Sequence, residues 1–166
     1  MTPEEIHKKI YLVPSEASFG IEGIKQICKW AEQLPKGISI LEAGTAYGRS
    51  AFTWALATDG YITTYEPQDI QDIHRTFARK YGVENKMNFI RGDVLQDNGE
   101  YDVIWLDGNH EYEHVKKELK KFDKLVKILI CGHDYGHLDF PGVKQAVDEF
   151  YGSKVEHHGI YWSIWK

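Results

Sequence analysis

Five acidic residues stand at or just past the ends of short apolar runs: Glu42, Glu66, Asp93, Asp107 and Asp134. The first run opens into Leu41-Glu-Ala-Gly-Thr-Ala-Tyr-Gly-Arg-Ser50, where Gly44 and Gly48 would let a ligand approach the backbone closely at the start of a helix. A plain tight turn with positive φ would use the same glycines. The loop is not G-x-G-x-x-G, because Ala46 and Arg49 occupy two of the glycine positions. Glu66, 24 positions after Glu42, can accept two hydrogen bonds from ribose hydroxyls, or be a surface carboxylate before Pro67. Asp93 closes Arg91-Gly-Asp93, where it can accept from an adenine amino group or simply end a turn.

A second kind of chemistry is available nearby. Asp107 and Asp134, with His133, could form a hard, oxygen-rich site suited to Mg²⁺, which would lower the pKa of a bound hydroxyl. Asp107 or His110 could instead act as a general base without metal, and His110 could equally be a helix N-cap or a surface histidine. His110 and His114 are four apart, as are His133 and His137, a spacing from which zinc can be imagined although no third ligand is fixed. Tyr47 and Tyr135 could line a pocket, and His157 and His158 are expected to face water.

These residues need elements to hold them. Ile21, Ile24, Cys28, Ala31 and Leu34 recur at helical spacing until Pro35-Lys36-Gly37 stops them. The spacing then predicts strands over 38–41, 61–65, 87–90, 101–106 and 127–131, with apolar helical faces between them. Lys154 to His157 and Ile160 to Trp165 flank His158-Gly159, a turn between two antiparallel strands. Five strand and helix alternations imply a parallel sheet covered on both faces, and the hairpin adds an antiparallel edge. In such sheets ligands sit beyond the carboxyl ends of the strands, where the five acidic residues fall. The lysines at 116, 117, 120, 121 and 124 read as a solvated helix face.

The 166 residues suit one domain with a real core and predict no separate cap domain. A formal charge of −5 has the wrong sign for affinity built on neutralising phosphates, so nucleic acid is not an expected partner. No apolar run approaches a membrane span and the first residues carry no basic-then-apolar leader, which predicts a cytoplasmic protein without membrane contact. Cys28 and Cys131 are far apart and read as small core residues. Residues 1–20 are set apart as an arm or lid, or as a contact in a homo-oligomer, ahead of one domain over 21–166.

Taken together, Glu-x-Gly-x-x-x-Gly at the first strand, Glu66 at the second, Gly-Asp93 at the third and Asp107-Gly at the fourth resemble class I S-adenosylmethionine-dependent methyltransferases. Trp105-Leu-Asp-Gly-Asn-His-Glu-Tyr-Glu113 and Ile130-Cys-Gly-His-Asp-Tyr135 are similar to the macrocin and cephalosporin-pathway O-methyltransferases. The resemblance implies a Rossmann-like, doubly wound, mostly parallel seven-stranded α/β sheet with a C-terminal antiparallel hairpin. It implies S-adenosylmethionine contacts from Glu42, Gly44, Tyr47, Gly48, Ser50, Glu66, Asp93 and Asp107, and a divalent cation, Mg²⁺ or another, on Asp107, His133 and Asp134. The activity implied is methylation of a hydroxyl on a small-molecule acceptor. A nicotinamide-dependent oxidoreductase on a similar sheet and a non-catalytic adenosine-nucleotide-binding domain are the competing readings.

Overall fold

A computed structural model describes residues 1–14 and 19–166. The chain runs α1 (Pro3–Lys9), α2 (Ile21–Ala31), β1 (Ser39–Ala43), α3 (Arg49–Ala57), β2 (Tyr61–Glu66), α4 (Gln71–Tyr81), β3 (Met87–Arg91) and β4 (Tyr101–Leu106). It continues with α5 (Tyr112–Phe122), β5 (Val126–Gly132), α6 (Pro141–Tyr151), β6 (Glu156–His158) and β7 (Tyr161–Trp165). The strands form one seven-stranded sheet in the order β3-β2-β1-β4-β5-β7-β6. Strands β1 to β5 are parallel, and β7 joins β5 antiparallel with β6 on the edge. The α/β class, the parallel sheet and the closing hairpin are as the sequence predicts.

Period-two alternation divides the core. Ile40, Val103, Trp105, Leu129 and Cys131 face one layer with α1 to α4, while Leu41, Ala43, Ile104, Leu106 and Ile130 face the other with α5 and α6. Both faces are covered, so the inner strands are largely apolar on both sides, with buried polar exceptions such as Glu42, Thr64 and Ser163. Trp105 is fully buried at the centre of the first layer, with the rings of Phe19, Trp30 and Trp54 at 6.1–6.3 Å. Burial of each such side chain contributes about 1.5–3 kcal/mol.

Some boundaries differ from the sequence reading for local reasons. The helix expected to run to Leu34 ends at Ala31, because the amides of Gln33 and Leu34 bond back three residues and tighten the last turn. The hairpin pairs His158 with Tyr161, so the two turn residues are Gly159 and Ile160, one position later than expected, with Gly159 at φ +61°.

The N-terminal segment is packed where the sequence offered a loose arm. Thr2 and Glu5 form a capping box that starts α1, and Ile6, Ile10 and Val13 are buried in the first core layer. Residues 15–18 of the segment suggested as a lid lie outside the described residues. Among the described residues, no helix is long and apolar enough to cross a membrane.

Candidate functional site

The order of the strands reverses direction between β1 and β4, and the chain leaves a crevice at their carboxyl ends. Here β1 and the loop after β4 are in close contact: Asp107 N–H donates to the Ala43 carbonyl at 3.0 Å, and a Cβ at Gly44 would overlap the Asp107 carbonyl. Gly44 has φ +83° and its amide, with that of Thr45, donates to the Tyr65 carbonyl at the end of β2. Only glycine meets both the dihedral and the space. The crevice widens into a cavity of about 940 Å³ bounded by the ends of β1, β2, β3, β4 and β5.

Glu66, Asp93, Asp107, His110, His133 and Asp134 all line this cavity, as does Gly44. Glu66 is held by two backbone donors, Ala46 N–H to Oε2 at 2.8 Å and Gln68 N–H to Oε1 at 3.1 Å. Its carboxylate is fixed with lone pairs to spare toward the cavity. Asp93 is half-exposed and accepts from Leu95 N–H at 2.8 Å. A smaller adjoining hollow of about 40 Å³ is lined by Tyr47, Arg49 and Ser50 and shares Gly44 and Asp107 with the main cavity.

Glu42 and Gly48 line neither space. Glu42 shares the strand face of Ile40 and lies fully buried beneath the loop, accepting from Ser50 Oγ at 2.6 Å and from Thr64 Oγ1. Burial pushes its carboxyl up to about 8, against the lowering effect of those two hydroxyls. Gly48, at φ +90°, caps α3. Tyr135 points elsewhere, donating to Asp148 at 2.6 Å.

Asp107, His110 and Asp134 each offer one ligand atom within 4.8 Å of the others. His133 Nδ1 lies beside them, 3.4 Å from Asp107 Oδ1 and 3.2 Å from Asp134 Oδ2. His110 is neither N-cap nor surface histidine. The N-cap of α5 is Glu111, whose amide donates to Asn109 Oδ1, and the His110 ring turns inward to stack on Phe140 at 4.2 Å. Its Nε2 comes within 2.9 Å of Asp134 Oδ2, but off the line of a hydrogen bond. Asp134 Oδ1 is likewise buried without a hydrogen-bond partner.

Burial alone would lower the pKa of both histidines. The carboxylates of Asp107 and Asp134 outweigh it, raising His110 to about 9 and His133 to about 10. For Asp134, burial acts upward and the two imidazoles prevail, holding it well below the usual carboxylate range. Asp134 also adopts φ +58°, which, with Ala46 at φ +45°, makes two non-glycine residues in left-handed backbone among the described residues, both at this site.

Among the cavity residues that escaped the sequence reading, Glu118 and Phe140 stand out. Glu118 is buried on α5 with Oε1 lacking a hydrogen-bond partner, 3.3 Å from His114 Nε2, and burial raises its carboxyl pKa. Phe140 forms the wall above His110. Helical periodicity marks Glu118 only as a neighbour of Leu119.

The pattern of a family described as a methyltransferase domain matches residues 41–135, from within β1 to just past β5, more than half of the chain. The chain belongs to this methyltransferase family. A curated relative of the methyltransferase, sarcosine/dimethylglycine N-methyltransferase of Aphanothece halophytica, is 23% identical over 142 residues. That match takes in 82% of this chain and 50% of the relative, so the chain spans about half the relative's length.

Solved structures share the methyltransferase's fold at low identity. An O-methyltransferase from Bacillus cereus in complex with S-adenosylhomocysteine superposes with TM-score 0.68 at 18% identity, over 99% of this chain and 90% of the other. A putative RNA methyltransferase from Pyrococcus horikoshii gives TM-score 0.71 at 13% identity, over 98% and 96%. The likeness extends through the C-terminal hairpin, and relatives on this fold are named for oxygen, nitrogen and RNA acceptors alike.

Proposed function

We propose that this methyltransferase transfers the methyl group of S-adenosylmethionine to a hydroxyl oxygen of a small-molecule acceptor, with a divalent cation held at Asp107, His110 and Asp134. The observation that carries the reading is convergence. The fixed carboxylate of Glu66, the half-exposed carboxylate of Asp93 and the Asp107, His110, Asp134 group face one continuous cavity at the switch in strand order. Glu66 can accept from ribose hydroxyls and Asp93 from an adenine amino group, and Gly44, by letting the loops after β1 and β4 meet, puts bare backbone in the cavity wall.

The residues present fit a cation. Two carboxylates and an imidazole converge, and Asp134 Oδ1 lacks a hydrogen-bond partner; the proton that the two carboxylates hold on His110 would leave as a cation binds. His133 flanks the set, so Mn²⁺, Fe²⁺ or Zn²⁺ suits it as well as Mg²⁺. When bound, such a cation supplies Lewis acidity that favours the ionised form of an acceptor hydroxyl. The chain's own residues do the rest: they orient acceptor and donor, since in-line methyl displacement depends on positioning more than on covalent catalysis. Phe140 stacks on His110 and Tyr161 packs beside His133, so aromatic rings back both histidines.

Calorimetric titration with S-adenosylhomocysteine tests the donor assignment. Binding is expected, with a raised melting temperature by mass action. Binding of NAD and none of S-adenosylhomocysteine would overturn it. An amine acceptor is the second reading, favoured by the resemblance to the sarcosine/dimethylglycine enzyme. Turnover of an amine acceptor and none of the matching alcohol would support the amine, and full turnover in the presence of a chelator would remove the cation from catalysis.

A further inference from the structure

His74 plays no part in the chemistry above, yet it is fully buried on α4 and touches the donor loop. Its Nε2 lies 2.6 Å from the carbonyl oxygen of Ala46, 28 residues earlier in the chain. A carbonyl only accepts, so Nε2 carries the proton and donates. The ring is stacked on Phe89, with centroids 5.2 Å apart and planes at 28°, which fixes its direction. Nδ1 is buried without a hydrogen-bond partner, and burial holds the pKa of the imidazole down, so the ring is neutral and a single tautomer is in place.

The residue it grips is one of the two strained ones at this site. Ala46 sits at φ +45°, where an L-residue other than glycine pays a steric cost, and something must hold it there. Ala46 is held on both sides of its Cα: its carbonyl accepts a hydrogen bond from His74 Nε2–H, and its amide, in the preceding peptide unit, donates to Glu66 Oε2 at 2.8 Å. The second Glu66 oxygen is held by Gln68 N–H. The carboxylate orientation therefore depends on an amide whose own residue is pinned by His74.

We infer that His74 is a positioning residue for donor binding: through the backbone of Ala46 it sets the Glu66 carboxylate to receive the two ribose hydroxyls of S-adenosylmethionine. This rests on the proposed donor and deepens it. The role differs from core packing because it acts through one N–H bond. An apolar ring of similar shape preserves the packing and loses the bond, and a glutamine amide can replace the Nε2–H.

The test measures S-adenosylhomocysteine affinity and that of its 2′,3′-dideoxy analogue by calorimetry, with melting curves as a check on folding, in the wild-type chain and in His74→Phe, His74→Gln and His74→Asn. His74→Phe is expected to bind S-adenosylhomocysteine about tenfold more weakly, the worth of a lost hydrogen bond. His74→Gln should retain wild-type affinity, and the dideoxy analogue should bind wild type and His74→Phe alike. A folded His74→Phe with wild-type affinity, or one that loses both ligands equally, overturns the inference. If His74→Phe does not fold, the shorter asparagine carries the comparison: affinity kept with glutamine and lost with asparagine supports the role, and equal affinity refutes it. A wild-type chain that binds no S-adenosylhomocysteine would overturn the donor assignment itself, whatever the variants do.

Discussion

Gly44 lies directly against the backbone of Asp107, and no side chain fits between them. A Cβ at Gly44 would stand 2.7 Å from the Cα of Gly108 and overlap the Asp107 carbonyl. The two residues belong to loops that follow β1 and β4, so their contact closes the crevice at its base.

Gly44→Ala should cost at least about 3 kcal/mol of stability, a left-handed dihedral plus a backbone displacement. Gly37→Ala is the control, because Gly37 has a similar φ of +71° with nothing within 4 Å, and should cost about 1 kcal/mol. Urea unfolding of both variants measures the difference. Equal costs would mean that the loops after β1 and β4 separate easily.

Glu66→Ala should weaken S-adenosylhomocysteine binding by about 1.5–3 kcal/mol, the range for hydrogen bonds to a charged group, while the fold survives. Calorimetry on the folded variant decides. Unchanged affinity would place the ribose elsewhere.

Asp107→Asn and Asp134→Asn should each lose cation binding and methyl transfer while donor affinity changes little. Asparagine is the apt replacement at 134, since it tolerates the φ of +58° found there. Mn²⁺ titration followed by turnover with a true acceptor checks both. Retained turnover in either variant would leave His110 as a general base acting without metal.

Glu42 should make the fold less stable as pH rises. Its carboxyl pKa is raised from 4.5 to about 8 by burial, so between those values the native state keeps a proton that the unfolded chain has released. The contribution is complete below pH 4.5 and falls by up to about 1.4 kcal/mol per pH unit until pH passes about 8. Glu42→Gln should flatten that slope in unfolding experiments at pH 5.5 and 7.5. An unchanged slope would show that Glu42 is ionised in the fold.

The parallel strands and the acidic residues at their ends were legible because each depends on local pattern: apolar runs, a loop glycine, an acid after the run. Glu42 was also legible in principle, since alternation puts it on the face of Ile40, beneath α3, but its place beside Gly44 drew attention to the ligand instead. The packing of the N-terminal segment had a sequence signal, the Thr2 and Glu5 capping box, that competed with the absence of a long apolar face. His110 against Asp134 and His74 against Ala46 were not legible. Each pair joins segments more than twenty residues apart, and the meeting depends on which side of a loop or helix turns inward once the sheet has formed.

The strand order also governs when the crevice comes into being. β1 pairs on one side with β2, its successor, and on the other with β4, where Ile40 lies beside Val103. A chain emerging from the ribosome can assemble β1, β2 and β3 while the far edge of β1 stays bare, because β4 has yet to be made. Gly44 then has no Asp107 to press against. The crevice between β1 and β4 needs the longest loop closure among the parallel strand pairs, so a donor molecule should recognise only chains that have passed that point, and can trap them there.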